Sequence, residues 1–406
     1  MRGGRVRAAA IALLVLTLGV LAVAATAGSS TPGRGVPVAE MSDLQDGPRI
    51  VVVGVPGWSW SDIDETTPTL QEVEATGASG SLVVRGTYPV TCPVDGWLTL
   101  GAGQRAATDE TDTAARCAAD PLDLLYTSGV NATFLRFPDW QAAAQDQALA
   151  AELGLLHRGL ADRDQCVSAY GPAAALGAAD GRGVVRRYDP APLADLEEAS
   201  DPPGSARCRV ILIDGSGMDD PGLDNGVTQL IESLPDETLL VVAGLSDAGE
   251  VPALHPLLMT RVDSGAPGAV TAEGPARLWS ASARQPGLVQ TTDLTTSILL
   301  SSGAMDDDVA DATSGAVITA TRASGEAGTD LGPANRDLAA AATLSTRVLP
   351  GYAATMGILL AAALLATGLW VRFATFEASR RVAGAALSVT GSALMAFPVS
   401  AFAAST

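Results

Sequence analysis

The chain has 406 residues and a formal net charge of −20, with 25 basic residues, all arginine, against 45 acidic ones. With no basic patch interleaved with aromatics, that balance excludes nucleic acid as a partner and works against an anionic lipid surface. Two histidines and four cysteines, none in a C-x-x-C pair, exclude a zinc ribbon and a thioredoxin-type motif.

Residues 1–8 carry three arginines, and 9–28 (AAIALLVLTLGVLAVAATAG) are apolar throughout and long enough to span a bilayer. The small residues of AVAATA suit signal cleavage equally, so 1–28 is either a retained anchor or a removed signal. Residues 29–47, rich in Gly, Pro and Ser, read as a linker. RIVVVGV (49–55) is a continuous β-branched apolar run and predicts a buried strand. TTPTLQEVEATG (66–77) predicts a short helix, and SGSLVVRG (79–86) a return to strand. VNATFLRF, from residue 130, reads as a strand and WQAAAQDQALAAELGLL (140–156) as a helical stretch. CRVILID (208–214) and ETLLVVAGL (237–245) are two more buried strands, with a helix over GVTQLIESL (226–234) between them. Strands alternating with helices predict an α/β fold, with a central largely parallel sheet covered by helices on both faces. No internal repeat is apparent.

Two further apolar segments, 349–371 and 382–403, predict transmembrane helices. The loop between them, 372–381 (RFATFEASRR), carries Arg372, Arg380 and Arg381 and is expected on the cytoplasmic side, like the N-terminal arginines. That orientation makes 48–348 one extracytoplasmic domain. It also permits disulfides among Cys92, Cys117, Cys166 and Cys208, which allow three pairings. Closeness in sequence favours Cys92–Cys117 and Cys166–Cys208.

Ligands of such sheets bind beyond the carboxyl ends of the strands. Three of those ends offer a polar group: Thr91 in TYPVTCP, Asp214 in DGSGMDD and Asp247 in SDAGE. Each type also caps helices and makes turns, so the bland reading stands beside the functional one.

From 49 to 303, the order of segments resembles the alkaline phosphatase superfamily, including its nucleotide pyrophosphatase/phosphodiesterase branch. YPVTCPVDGWLTLGAG (88–103) is similar to its nucleophile loop, DGSGM (214–218) to its Asp-x-x-Gly-His motif and LSDAGE (245–250) to its Ser-Asp-His-Gly motif. HPLLM (255–259) resembles its later His-Pro, and RQPGLVQTTDLTTSILLSSG (284–303) its closing segment. The resemblance implies Thr91 as nucleophile, with Asp214, Asp247 and His255 among the metal ligands. It also brings departures: Pro56, Met218 and Ala248 stand where the pattern has further ligands. The pattern needs three histidines for two zinc sites, and this chain has His157 and His255 only. A catalytic zinc is ordinarily held by three protein ligands.

The expectation is therefore a membrane-anchored extracytoplasmic protein of a bacterial cell envelope that has lost most metal ligands and binds or scaffolds an envelope protein or glycan without catalysis. No cofactor is expected. The alternative is a residual phosphodiesterase or phosphoryl transferase, with Thr91 as nucleophile and one divalent metal. A third reading places the function in the membrane segments.

Overall fold

The computed structural model describes residues 36–37, 48–119, 125–128, 131–147, 149–194, 208–247, 249, 251–268, 270, 274–322 and 331–372. The expected segments at 9–28 and 382–403, and all but the first residue of the loop 372–381, lie outside the described residues.

The strands in chain order are β1 (Val36–Pro37), β2 (Ile50–Pro56), β3 (Ala78–Val83), β4 (Leu125–Ser128), β5 (Asn131–Phe134), β6 (Val167–Tyr170), β7 (Val184–Val185) and β8 (Tyr188–Asp189). They continue as β9 (Val210–Asp214), β10 (Leu239–Ser246), β11 (Leu254–Asp263), β12 (Ala266–Gly268), β13 (Ala276–Ser280), β14 (Leu288–Gln290) and β15 (Ile318–Arg322). Twelve of these described strands make one sheet in the order β1-β15-β13-β3-β11-β10-β2-β9-β6-β8, with β12 on β11 and β14 on β3. The pair directions make every strand of this sheet run with β2 except β11 and β15. The sheet is thus largely parallel, as expected. β4, β5 and β7 form a separate antiparallel sheet. Within the expected linker, Val36 and Pro37 pair with β15 at the edge of the large sheet.

Period-two alternation decides which face each strand residue covers. Ile50 and Val52 of β2 enter one apolar core with Val210, Leu212, Val241 and Ala243. Val51, Val53 and Val55 enter the other with Ile213, Leu240 and Val242. Helices α1 (Pro68–Thr76) and α7 (Asp220–Ser233) bury Leu70, Val73, Leu223 and Val227 in the second core. Helices α2 (Pro93–Ala102), α4 (Phe137–Gln145), α5 (Leu155–Ala161), α6 (Pro172–Ala178) and α8 (Thr291–Ser301) fill the first. The short helices α3 (Thr113–Cys117) and α9 (Asp307–Ala312) complete the set before the last helix.

The helical stretch expected over 140–156 divides into α4 and α5. Ala150 and Gly154 both take left-handed backbone between them. β11 was not foreseen. It holds His255 and inserts antiparallel between β10 and β3.

Helix α10 (Leu331–Arg372) is continuous over 42 residues, about 63 Å at 1.5 Å per residue. Its start is docked on the domain: Asn335 donates to Ser79 Oγ at 3.1 Å, and Arg336 Nη2 donates to the Ile63 carbonyl at 3.1 Å and to Glu74 Oε2 at 3.3 Å. The segment 349–371, expected to span a membrane, is helical and lies in the second half of α10. Among the described residues, however, no helix is long and apolar enough to cross a membrane.

α2 packs on the sheet through Gly96, where an added Cβ would lie 1.9 Å from the Leu245 carbonyl oxygen. Gly96→Ala is expected to destabilise the domain by about 1–3 kcal/mol, the usual range for overpacking, because a backbone atom cannot move aside as a flexible side chain can. Urea unfolding of the variant beside wild type measures it.

Candidate functional site

β2 and β10 end side by side, with Ser246 opposite Pro56. Beyond them opens a cleft of about 510 Å³, lined by Pro56, Gly57, Ser246, Asp247 and Gly249 from the strand ends, and by Pro93, Thr113, Ala114 and Cys117 from α2 and α3. This is where a sheet of this kind carries its ligands.

Thr91, the expected nucleophile, immediately precedes the Cys92 N-cap of α2 and is buried. Its Oγ1 donates to the Val84 carbonyl at 2.5 Å and accepts from the Gly86 amide at 2.9 Å. The hydroxyl thus closes the turn that follows β3. Thr91 does not line the cleft. Its own amide donates to Asp247 Oδ2 at 2.8 Å, and the Asp247 amide donates back to the Thr91 carbonyl at 2.9 Å.

Both oxygens of Asp247 are engaged by protein groups. Oδ1 accepts from the Ala253 amide at 3.0 Å and faces His255 Nε2 at 3.2 Å, while Oδ2 takes the Thr91 amide. His255 is fully buried, and its Nδ1 lies 2.6 Å from the Trp58 carbonyl. A carbonyl only accepts, so Nδ1 is the donor there. A neutral ring donates at one nitrogen only, so both contacts are hydrogen bonds when the ring carries two protons. Thr91, Asp247 and His255 therefore meet as a hydrogen-bonded chain, whereas the resemblance groups His255 with Asp214 and Thr91 with Asp247.

Asp214 is brought to the same end of the sheet and not into that chain. It closes β9, in register with Gly54 of β2, while Ser246 is opposite Pro56, so the two lie on either side of β2, two strand spacings across and two residues along, about 12 Å apart. Its carboxylate accepts from the Ala173 amide in the first turn of α6 at 2.9 Å and from the Ser216 amide at 2.9 Å. A carboxylate at a helix start is favourable without any metal.

A divalent metal of the kind the resemblance implies does not fit these residues. Pro56 lines the cleft, and Met218 packs against the apolar core. Ala248 lies outside the described residues. The carboxylates of Asp214 and Asp247 are engaged by amides, and His255 spans two acceptors. Among the described residues, no group of three or more His, Cys, Asp and Glu is disposed to hold a metal ion.

Both disulfides pair by sequence neighbourhood, Cys92–Cys117 and Cys166–Cys208. The first joins α3 to the start of α2, beside an ion pair not foreseen from the sequence. Arg116 Nε donates to Asp95 Oδ2 at 2.7 Å, with both side chains out of solvent. Arg116 also donates to the Val90 carbonyl at 3.2 Å and the Glu110 carbonyl at 3.3 Å, and lies 3.9 Å over the Tyr88 ring. Asp95 accepts from the Cys92 and Thr108 amides as well, each at 3.3 Å. The available signal was a carboxylate three residues after the N-cap, the spacing of a capping box. The partner 21 residues on had none. Burial pushes the Asp95 carboxyl up to about 6, against the pull of the Arg116 guanidinium and the two amides.

No family model matches the chain, and no curated protein matches it. Among solved structures it is similar to murine ectonucleotide pyrophosphatase/phosphodiesterase 5, at 13% identity and a TM-score of 0.30, over 48% of this chain and 56% of that one. At that likeness, the geometry alone decides what the site can do.

Arg116→Met leaves a buried carboxylate without its cation, and is expected to cost about 3–5 kcal/mol at neutral pH in urea unfolding. The Asp95 carboxyl is raised in the fold, so its stabilising contribution is present below the ordinary value of 3.8 and is lost as pH rises through about 6. Wild type is therefore expected to lose ground against Asp95→Asn from about pH 4 to about pH 7. A gap that widens in favour of wild type over that range contradicts the assignment.

Proposed function

We propose that this protein is a membrane-attached, extracytoplasmic domain of alkaline phosphatase-like descent that binds or scaffolds an envelope protein or glycan and does no phosphoryl chemistry. One observation carries the reading: the Thr91 hydroxyl donates to Val84 and accepts from Gly86, while both oxygens of Asp247 are held by Thr91, Ala253 and His255. A nucleophilic hydroxyl needs a base or metal on its proton and a path to the substrate. This hydroxyl gives its proton to a backbone carbonyl and is buried away from the cleft.

Two features support the compartment. Both disulfides suit an oxidising space. Residues 354–371 in the second half of α10 contain no charged side chain. Ile358, Leu364 and Leu365 stand out from that helix at 70%, 72% and 68% exposure. Large apolar side chains presented this way suit a lipid or protein neighbour.

The cleft favours a second reading, residual phosphoester chemistry. It lies at the strand ends, with Pro93 of the α2 N-terminus in its wall. Helix starts accept anions.

Turnover of a nitrophenyl phosphate diester by purified protein, with zinc, manganese, magnesium or calcium added in turn, separates the two. The first reading predicts no turnover above the metal-only blank, and a Thr91→Ala variant that is less stable by about 1–3 kcal/mol because Gly86 loses its acceptor. Stoichiometric bound zinc, or turnover that Thr91→Ala abolishes while the fold persists, supports the second. Membrane attachment is tested separately: the full chain should stay with membranes through alkaline carbonate washing, and a chain of residues 29–345, without the three apolar segments, should not.

A further inference from the structure

The two disulfides differ in setting. Cys166 immediately precedes β6 and Cys208 stands two residues before β9, neighbouring parallel strands of the large sheet; Cys208 is buried and Cys166 half-buried, but neither lines the cleft. That bridge joins strands that are already paired. Cys92–Cys117 instead ties a five-residue helix, α3, to the N-cap of the ten-residue helix α2. Cys117 is half-buried and lines the cleft beside Pro93, Thr113 and Ala114, while Cys92 is fully buried. A thiol entering the cleft therefore meets Cys117 and not Cys92.

The buried sulfur stands at a helix start, 3.9 Å from the Thr113 carbonyl. Cys92 and Asp95 form a reciprocal capping box, in which the Asp95 amide is directed to the Cys92 side chain and the Asp95 carboxylate accepts the Cys92 amide. A thiolate at a helix N-terminus is stabilised by the amides and dipole of the first turn, and exchange is faster when the departing thiolate is stabilised. The tie beside the bridge survives its opening: Arg116 stays bonded to Asp95, Val90 and Glu110.

We infer that Cys92–Cys117 is a reducible bridge in the cleft wall, opened by attack of an incoming thiolate on Cys117 Sγ with Cys92 leaving as the thiolate. In the first step, the attacking sulfur bonds to Cys117 Sγ, the Cys117–Cys92 bond breaks, and its electron pair goes to Cys92 Sγ. The product is a mixed disulfide on Cys117 and a free Cys92. A second thiolate from the reductant, a dithiol, attacks its own sulfur in that mixed disulfide and releases Cys117. The protein gains two electrons and two protons, and the dithiol is oxidised to its disulfide. Opening frees α3, one wall of the cleft, to move about Arg116. The bridge state then governs what the cleft admits, whichever reading of the site holds.

The test takes the full chain in detergent through graded dithiothreitol, with acid quenching, alkylation and peptide mass spectrometry, while circular dichroism follows the fold. The expected result is alkylation of Cys92 and Cys117 at reductant concentrations at least about tenfold below those needed for Cys166 and Cys208, with the fold intact. A second arm uses glutathione, a monothiol, under limiting conditions. It should leave glutathione on Cys117 and an alkylated Cys92. Reduction of both bridges together, only as the protein unfolds, overturns the inference. So does a glutathione adduct on Cys92.

Discussion

A single carboxylate joins the segments that meet at the cleft. Asp247 stands just past β10, and its oxygens draw in the Thr91 amide from the turn before α2, the Ala253 amide from the approach to β11, and the ring of His255 on β11. His255 in turn reaches the Trp58 carbonyl beyond β2. Three neighbouring strands, β2, β10 and β11, are thereby closed over at one end by one charge. A buried carboxylate is costly unless its lone pairs are met. Here backbone amides and a histidine meet them, and the same contacts set the entry of α2 and the position of the cleft wall.

The strand ends do not present an open catalytic geometry, and the reason is physical. A phosphoryl-transfer site keeps polar groups free to engage charge that develops on the substrate. In this protein those positions face inward. Thr91 closes a turn, Asp214 receives the first turn of α6, and Asp95 neutralises Arg116. Each of these groups has an internal partner, so the strand ends are held by hydrogen bonds and a disulfide.

Much of the fold was legible in the sequence. β2, β9 and β10 are near-continuous apolar runs because a parallel sheet buries both of their faces. β11 escaped because Pro256 sits inside it. The proline has no amide to give; it sits opposite Ser81 in the ladder to β3 but falls before the ladder to β10, which begins at Leu257. That Thr91, Asp214, Asp247 and His255 lie toward one end of the sheet follows from their places after the strands, and the disulfide pairing was legible from spacing. What the residues do there was not. The direction of the Thr91 hydroxyl depends on a carbonyl seven residues back, and the Asp95–Arg116 pair on the packing of a short helix. Neither leaves a periodicity or spacing to read.

If Asp247 serves the fold through His255, the two side chains must be energetically coupled without any metal. A double-mutant cycle with Asp247→Asn and His255→Gln, followed by urea unfolding in the presence of a chelator, measures that coupling. Each single variant should be destabilised, and the pair coupled by at least about 1 kcal/mol, as contacting buried groups are. Variants as stable as wild type in chelator, and weaker than wild type only when zinc is added, would show that the pair serves a metal and not the fold.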